Sequence, residues 1–271
     1  MHTHPHRPER KRLLVVLDFD GFLVNSYALI RETFAAFGLD VGDEERFRNR
    51  RKFLKYLGGG KEFLTNLVRF ALPKERRIRE VLTEVYRTEG LVYPEFRDVV
   101  NRLIASPRVH CGVVSRNFTL APGPTMRCVL KRSGIAEAEL DFVIPIPAGT
   151  PKDETLAAMR SSRYHECLLG ADEISDYRAA TAAGYEVLMA SYGFDHRNRL
   201  IDRGDVPGAL IYDDPATLAT ELADHVAPYV DPPRRRALSL PPPGADFGVN
   251  AVTPAAAHEL TAFRRHSDSP A

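Results

Sequence analysis

The sequence predicts an α/β fold: a parallel sheet core with helices on both faces and an inserted all-helical domain. Two observations carry this. Short Val/Leu/Ile-rich runs recur at Leu13 to Leu17, Val109 to Val114, Asp141 to Ile146, Glu166 to Leu169, Glu186 to Ala190 and Ala209 to Tyr212, and most alternate with helix-like segments. The gap between the first two runs is different in kind. Tyr27 to Gly90 holds several helix-period segments and no convincing strand.

The first run, LLVVL, is continuously apolar and has the length of a strand buried on both faces. It ends abruptly in Asp18, and Asp20 follows two residues later. In open α/β sheets, ligands collect at the carboxyl ends of strands. Two carboxylates that close repel each other unless something positive lies between them. The pair therefore points to a divalent cation, and hard oxygen donors favour Mg²⁺. Gly21 lets the backbone turn sharply beside the site.

Helical periodicity follows at Tyr27 to Phe37, Lys61 to Ala71 and Lys74 to Thr88, with Pro73 at a plausible first turn of the last. The second apolar strand ends at Ser115, whose hydroxyl can donate to a phosphate oxygen, with Arg116 and Asn117 next in line. Ser115 taken alone also fits a turn serine. Lys152 opens the helix-like segment KDETLAAM, a poor position for a cation against the helix dipole, and that placement points to an anion nearby. A strand then runs into Asp172, which could complete the metal shell begun by Asp18. Asp176, four residues on, could cap a helix or hold Lys152.

Composition limits the alternatives. The 271 residues are 44% hydrophobic, enough for a sizeable core, and 37 basic side chains balance 36 acidic ones to a net charge of +1. Nothing global therefore points to nucleic acid or an anionic membrane as a partner. No apolar run approaches the roughly 20 residues that span a bilayer, and the basic start MHTHPHRPERKR leads into no signal-peptide pattern. Cys111, Cys128 and Cys167 read as reduced core residues, and the expected location is cytoplasmic. From Pro228 the composition shifts: eight of the 20 prolines fall in residues 228–271, a tail expected to be disordered and whose protein partner, if any, is unknown.

The order Asp18-x-Asp20-Gly21, Ser115 after an apolar strand, Lys152, then Asp172 with Asp176, resembles the haloacid dehalogenase superfamily over roughly Leu13 to Ala223. The resemblance implies a Rossmann-like core with a helical cap of the phosphoglycolate phosphatase and β-phosphoglucomutase type. The divisions expected are a flexible 1–12, a core of 13–24 plus 91–227, a cap of 25–90, and the tail 228–271. It implies a phosphatase of a small phosphorylated metabolite, with Asp18 as nucleophile, Asp20 as general acid/base, and Ser115 and Lys152 gripping the phosphoryl group. Mg²⁺ would be held by Asp18, the backbone carbonyl of Asp20, and Asp172, with Asp176 supporting. Gly21, Arg116, Asn117 and, from the cap segment YLGGGKEFLTNLV, Lys61 would line the substrate. A phosphomutase using the same residues, or a binding protein of the same fold with little turnover, is the alternative. The chain departs from the family's usual pattern at Phe22 (Thr in relatives), Asn25 (Asp), Asp153 (Pro) and Ala171 (Gly).

Overall fold

A computed structural model describes residues 12–38, 75–147 and 150–230. Six strands, β1 (Leu13–Leu17), β2 (Val109–Ser115), β3 (Phe142–Pro145), β4 (Glu166–Ala171), β5 (Glu186–Ala190) and β6 (Ile211–Tyr212), form one sheet in the order β3-β2-β1-β4-β5-β6. Every pairing is parallel. All six predicted runs are strands. β2 ends at Ser115 as expected, β4 runs through Ala171, past the apolar run that closes at Leu169, and β6 shrinks to two residues at the sheet edge.

The helices are α1 (Ser26–Ala35), α2 (Glu75–Glu89), α3 (Pro94–Ala105), α4 (Pro122–Arg132), α5 (Asp153–Met159), α6 (Ile174–Ala182), α7 (Arg197–Gly204) and α8 (Pro215–Val226). β1 explains why both faces are covered. Its five residues are all buried, with Leu13, Val15 and Leu17 on one face and Leu14 and Val16 on the other. The first face packs with Val99 and Leu103 of α3, Val129 of α4 and Leu222 of α8; the second packs with Leu156 of α5 and Ala180 of α6. Each Val or Leu withdrawn from water contributes about 1.5–3 kcal/mol, so this central strand is the anchor of the sheet.

α1 and α2 lie between β1 and β2 in the chain and pack against each other. They are the described parts of the predicted helical insertion; its segment Lys61 to Ala71, with Gly58, Gly59, Gly60 and Lys61, lies outside the described residues, as does most of the 228–271 tail. The two chain crossings into and out of this helical region are tied together by an antiparallel bridge between Val24 and Val92. Asn25, at one of the positions departing from the family's pattern, caps α1 by accepting from the Ala28 amide at 3.1 Å. Among the described residues no helix is long and apolar enough to cross a membrane.

Phe22, another departure, is a core residue. It is fully buried, its ring lies 5.2 Å from that of Phe96, and it occupies the space left by the missing side chain of Gly170 on β4. A Cβ at Gly170 would come within 2.3 Å of the ring. Gly170→Ala is therefore expected to cost about 1–3 kcal/mol in urea unfolding, with Phe22→Leu in the same chain recovering much of it. An alanine variant as stable as the parent contradicts this packing.

Candidate active site

The register of the sheet assembles the site. Leu17 pairs with Val113 on one side and Gly170 on the other, so Asp18, one residue on, and Ser115 and Asp172, each two residues on, emerge together at the carboxyl edge. Asp18 is nearly buried and its backbone amide is held by the Gly170 carbonyl at 2.8 Å. Its Oδ1 accepts from Ser115 Oγ at 2.6 Å and from the Phe19 amide at 2.7 Å; its Oδ2 accepts from Lys152 Nζ at 2.6 Å.

Lys152 stands immediately before α5 and is itself buried. Its ammonium bridges Asp18 to Asp176, in the first turn of α6, with Nζ 2.6 Å from Asp176 Oδ2. Burial alone would lower the Lys152 pKa, but Asp176 and Asp18 outweigh it and hold it above the usual lysine value. The opposite balance holds at Asp18: burial is the largest influence, Lys152 only partly offsets it, and Asp176 adds repulsion, so the carboxyl is pushed up to about 7. Asp176 is also opposed by burial, yet Lys152 and Arg116 keep it below the ordinary carboxylate range. Arg116 Nη2 donates to Asp176 Oδ1 at 3.0 Å, Glu173 Oε2 at 2.8 Å and Ser175 Oγ at 3.0 Å.

Asp172, at the end of β4, is fully buried. Its Oδ2 accepts from the Phe194 amide at 2.6 Å, while its Oδ1 has no hydrogen-bond partner among the described residues. Two glycines make room for this carboxylate. A Cβ at Gly21, whose φ of +81° already demands glycine, would lie 2.1 Å from Oδ2, and one at Gly193 would lie 2.3 Å from it. Burial, then the charges of Asp18 and Glu173, push Asp172 well above its ordinary pKa. Four buried carboxylates, Asp18, Asp20, Asp172 and Asp176, thus share one buried lysine and the half-buried Arg116. An orphaned buried oxygen in a shell of hard donors that, among the described residues, is short of positive charge fits a divalent cation.

Asp20 is held differently. Its Oδ1 accepts from Ser26 Oγ at 2.7 Å and from the Tyr86 hydroxyl at 2.6 Å, and its Oδ2 from Asn117 Nδ2 at 3.0 Å. Burial raises its pKa and the three hydrogen bonds only partly reverse this. The Tyr86 hydroxyl is itself pushed well above its usual value, by burial first and by Asp20 next, so it stays a donor. Beside Gly21 and Gly193 lies a small cleft walled by Tyr27, Tyr93, Tyr192 and Phe194.

The structure thus brings together Asp18, Asp20, Ser115, Lys152, Asp172 and Asp176, with Gly21 and Asn117 in contact with them and Arg116 turned to Glu173 and Asp176. Lys61 lies outside the described residues. Tyr86 and Ser26, which complete the Asp20 shell, were not singled out from sequence. Ser26 carried a signal in its place at the start of α1 just after the Asp pair; Tyr86 carried none, since it reads as one more apolar position of an amphipathic helix.

No protein-family model matches the sequence, and no curated protein matches it. Solved structures do. A protein from Thermotoga maritima assigned as a β-phosphoglucomutase is 16% identical, covers 78% of this chain and 98% of its own, and superposes with a TM-score of 0.53. A haloacid dehalogenase-like hydrolase from Streptococcus pneumoniae is also 16% identical, with 78% and 98% coverage and a TM-score of 0.52. CbbY from Rhodobacter sphaeroides, solved in complex with phosphate, is 20% identical, with 76% and 95% coverage and a TM-score of 0.51. At this identity the likeness is one of fold: a haloacid dehalogenase-type parallel sheet with a helical region between its first two strands.

Proposed function

We propose that this chain is a Mg²⁺-dependent phosphatase that hydrolyses a small phosphorylated metabolite through an aspartyl-phosphate on Asp18. The observation that carries the reading is the Asp18 carboxylate itself, gripped by Ser115 and Lys152 at the strand ends, beside a buried Asp172 oxygen with no hydrogen-bond partner among the described residues. That a protein of the same fold was solved with phosphate supports it.

In this reading Asp18 attacks phosphorus, forming an Asp18 O–P bond as the bond to the leaving oxygen breaks. Asp20 delivers a proton to that oxygen, then takes one from the water that attacks the phosphoenzyme and frees inorganic phosphate. A raised pKa suits Asp20 to the acid role. Ser115 and Lys152 hold the phosphoryl oxygens against the anionic nucleophile, which is where most of the barrier lies when charge meets charge. Asp18, Asp172 and the Asp20 carbonyl would hold Mg²⁺, which when bound neutralises charge on the phosphoryl group. Asp176 keeps Lys152 charged and in place.

The test is turnover of a panel of phosphate monoesters by the full chain, with Mg²⁺ and with EDTA. Release of inorganic phosphate only with Mg²⁺ is the expected result. Asp172→Asn should raise the Mg²⁺ concentration for half-maximal rate by more than about tenfold. Turnover unaffected by EDTA, or absent on every ester, overturns the reading; an isomerised ester in place of free phosphate assigns a mutase instead.

A further inference from the structure

We infer that Tyr86 is a positioning residue for the acid/base Asp20, and that α2 sets both oxygens of that carboxylate; the inference rests on the phosphatase reading above. A carboxylate offers about four lone-pair positions, two on each oxygen. On Asp20, both positions of Oδ1 are filled, by Ser26 and by Tyr86, and one of Oδ2 is filled by Asn117. Among the described residues, the position left is on Oδ2. A proton can sit there without displacing a donor, so the shell directs the transferable proton to one oxygen.

The same helix reaches the second oxygen by way of a loop. Arg79, Thr83 and Tyr86, four and then three residues apart, share one face of α2. Arg79 Nε donates to the Phe118 carbonyl at 3.0 Å and its Nη2 to the Thr119 carbonyl at 3.3 Å, while Thr83 Oγ1 accepts from the Leu120 amide at 2.9 Å. The loop so held keeps Asn117 in one orientation. Thr119 donates to Asn117 Oδ1 through its amide at 3.1 Å and also through its hydroxyl, which turns the Asn117 Nδ2 toward Asp20. A helix that contributes nothing to the sheet edge therefore controls both sides of the acid/base.

The consequence is specific to proton transfer. As the bond between phosphorus and the leaving oxygen breaks, the proton on Asp20 Oδ2 moves to that oxygen; in the second step a proton from the attacking water returns to Oδ2. Without the Tyr86 hydroxyl, a position opens on Oδ1 and the proton is divided between two oxygens. A leaving group that needs the proton suffers; one that departs readily as an anion does not.

The experiment compares kcat/KM, which reports the first step alone, on phenyl phosphate and on p-nitrophenyl phosphate, which have nearly the same shape and differ in how much the leaving oxygen needs a proton. Tyr86→Phe should lower kcat/KM on phenyl phosphate by roughly tenfold or more and on p-nitrophenyl phosphate by less than about twofold. Thr83→Val, which removes the acceptor for Leu120, should shift the ratio the same way by less. In an Asp20→Asn background, Tyr86→Phe should leave the ratio unchanged. Arg76→Ala, on the solvent face of the same helix, should leave both rates alone. Equal losses on the two esters from both Tyr86→Phe and Thr83→Val, or no loss on either, overturn the inference and leave the phosphatase reading intact. Failure of the unsubstituted chain to turn over either ester with Mg²⁺ overturns that reading, and the inference with it.

Discussion

Asp18→Asn is expected to abolish phosphate release, by at least about a thousandfold on every ester, with no trappable phosphoenzyme, because the amide is a poor nucleophile and a weaker metal ligand. The fold should survive. The substituted side chain keeps an oxygen for Ser115 Oγ and the Phe19 amide; its other end no longer accepts from Lys152, which retains Asp176, and the change removes a carboxyl whose pKa burial has pushed up to about 7. A carboxyl shifted in that direction contributes stability to the metal-free chain that is fully present below its ordinary value of 3.8 and is lost as pH climbs through about 7. At pH 8 the metal-free variant should accordingly melt no lower than the parent, and above pH 7 its stability should be the less sensitive to added Mg²⁺. Retention of more than a few per cent of turnover, or collapse of the fold at pH 8, contradicts the placement of Asp18 as a buried nucleophile.

Lys152→Met should have the largest effect on stability, a loss of about 3–5 kcal/mol in urea unfolding of the metal-free chain at neutral pH. The methionine fills similar space but leaves Asp18 and Asp176 facing each other with their shared cation gone. A second substitution separates the two duties of the lysine. Lys152→Met with Asp176→Asn removes one of the two buried carboxylates left behind and should regain part of the lost stability, while turnover stays at background because no cation holds the phosphoryl oxygens beside Ser115. If the single variant unfolds like the parent, the buried ion triad is not what braces this edge of the sheet. If the double variant regains turnover along with stability, Lys152 serves only the fold.

The strand ends were legible because their signal is local. An uninterrupted apolar run closing on a carboxylate or a hydroxyl is visible within a few residues, as at Asp18, Ser115 and Asp172, and a parallel sheet brings such ends to one edge. Lys152 was legible for a related reason: a cation at the positive end of a helix invites a counter-charge, and the structure supplies two. Element boundaries were less secure. β4 carries its strand through Gly170 and Ala171 because both are buried and paired with β5, which small residues do not announce by themselves.

By itself, then, the sequence determined the α/β class, the six strands and the set of charged groups at their carboxyl ends, since those follow from apolar runs, their limits and the spacing of polar residues along the chain. Only the tertiary structure decided how those groups are shared. The Tyr86 hydroxyl reaches Asp20 across 66 positions of chain and the Asn117 amide across 97, Arg116 settles on Glu173 and Asp176, and Phe22 takes the space that Gly170 leaves empty. None of these has a local signature, because a hydrogen bond or a filled space between distant segments is determined by which helix packs over which strand end, and the periodicity that makes Tyr86 a buried position says nothing of where its oxygen points.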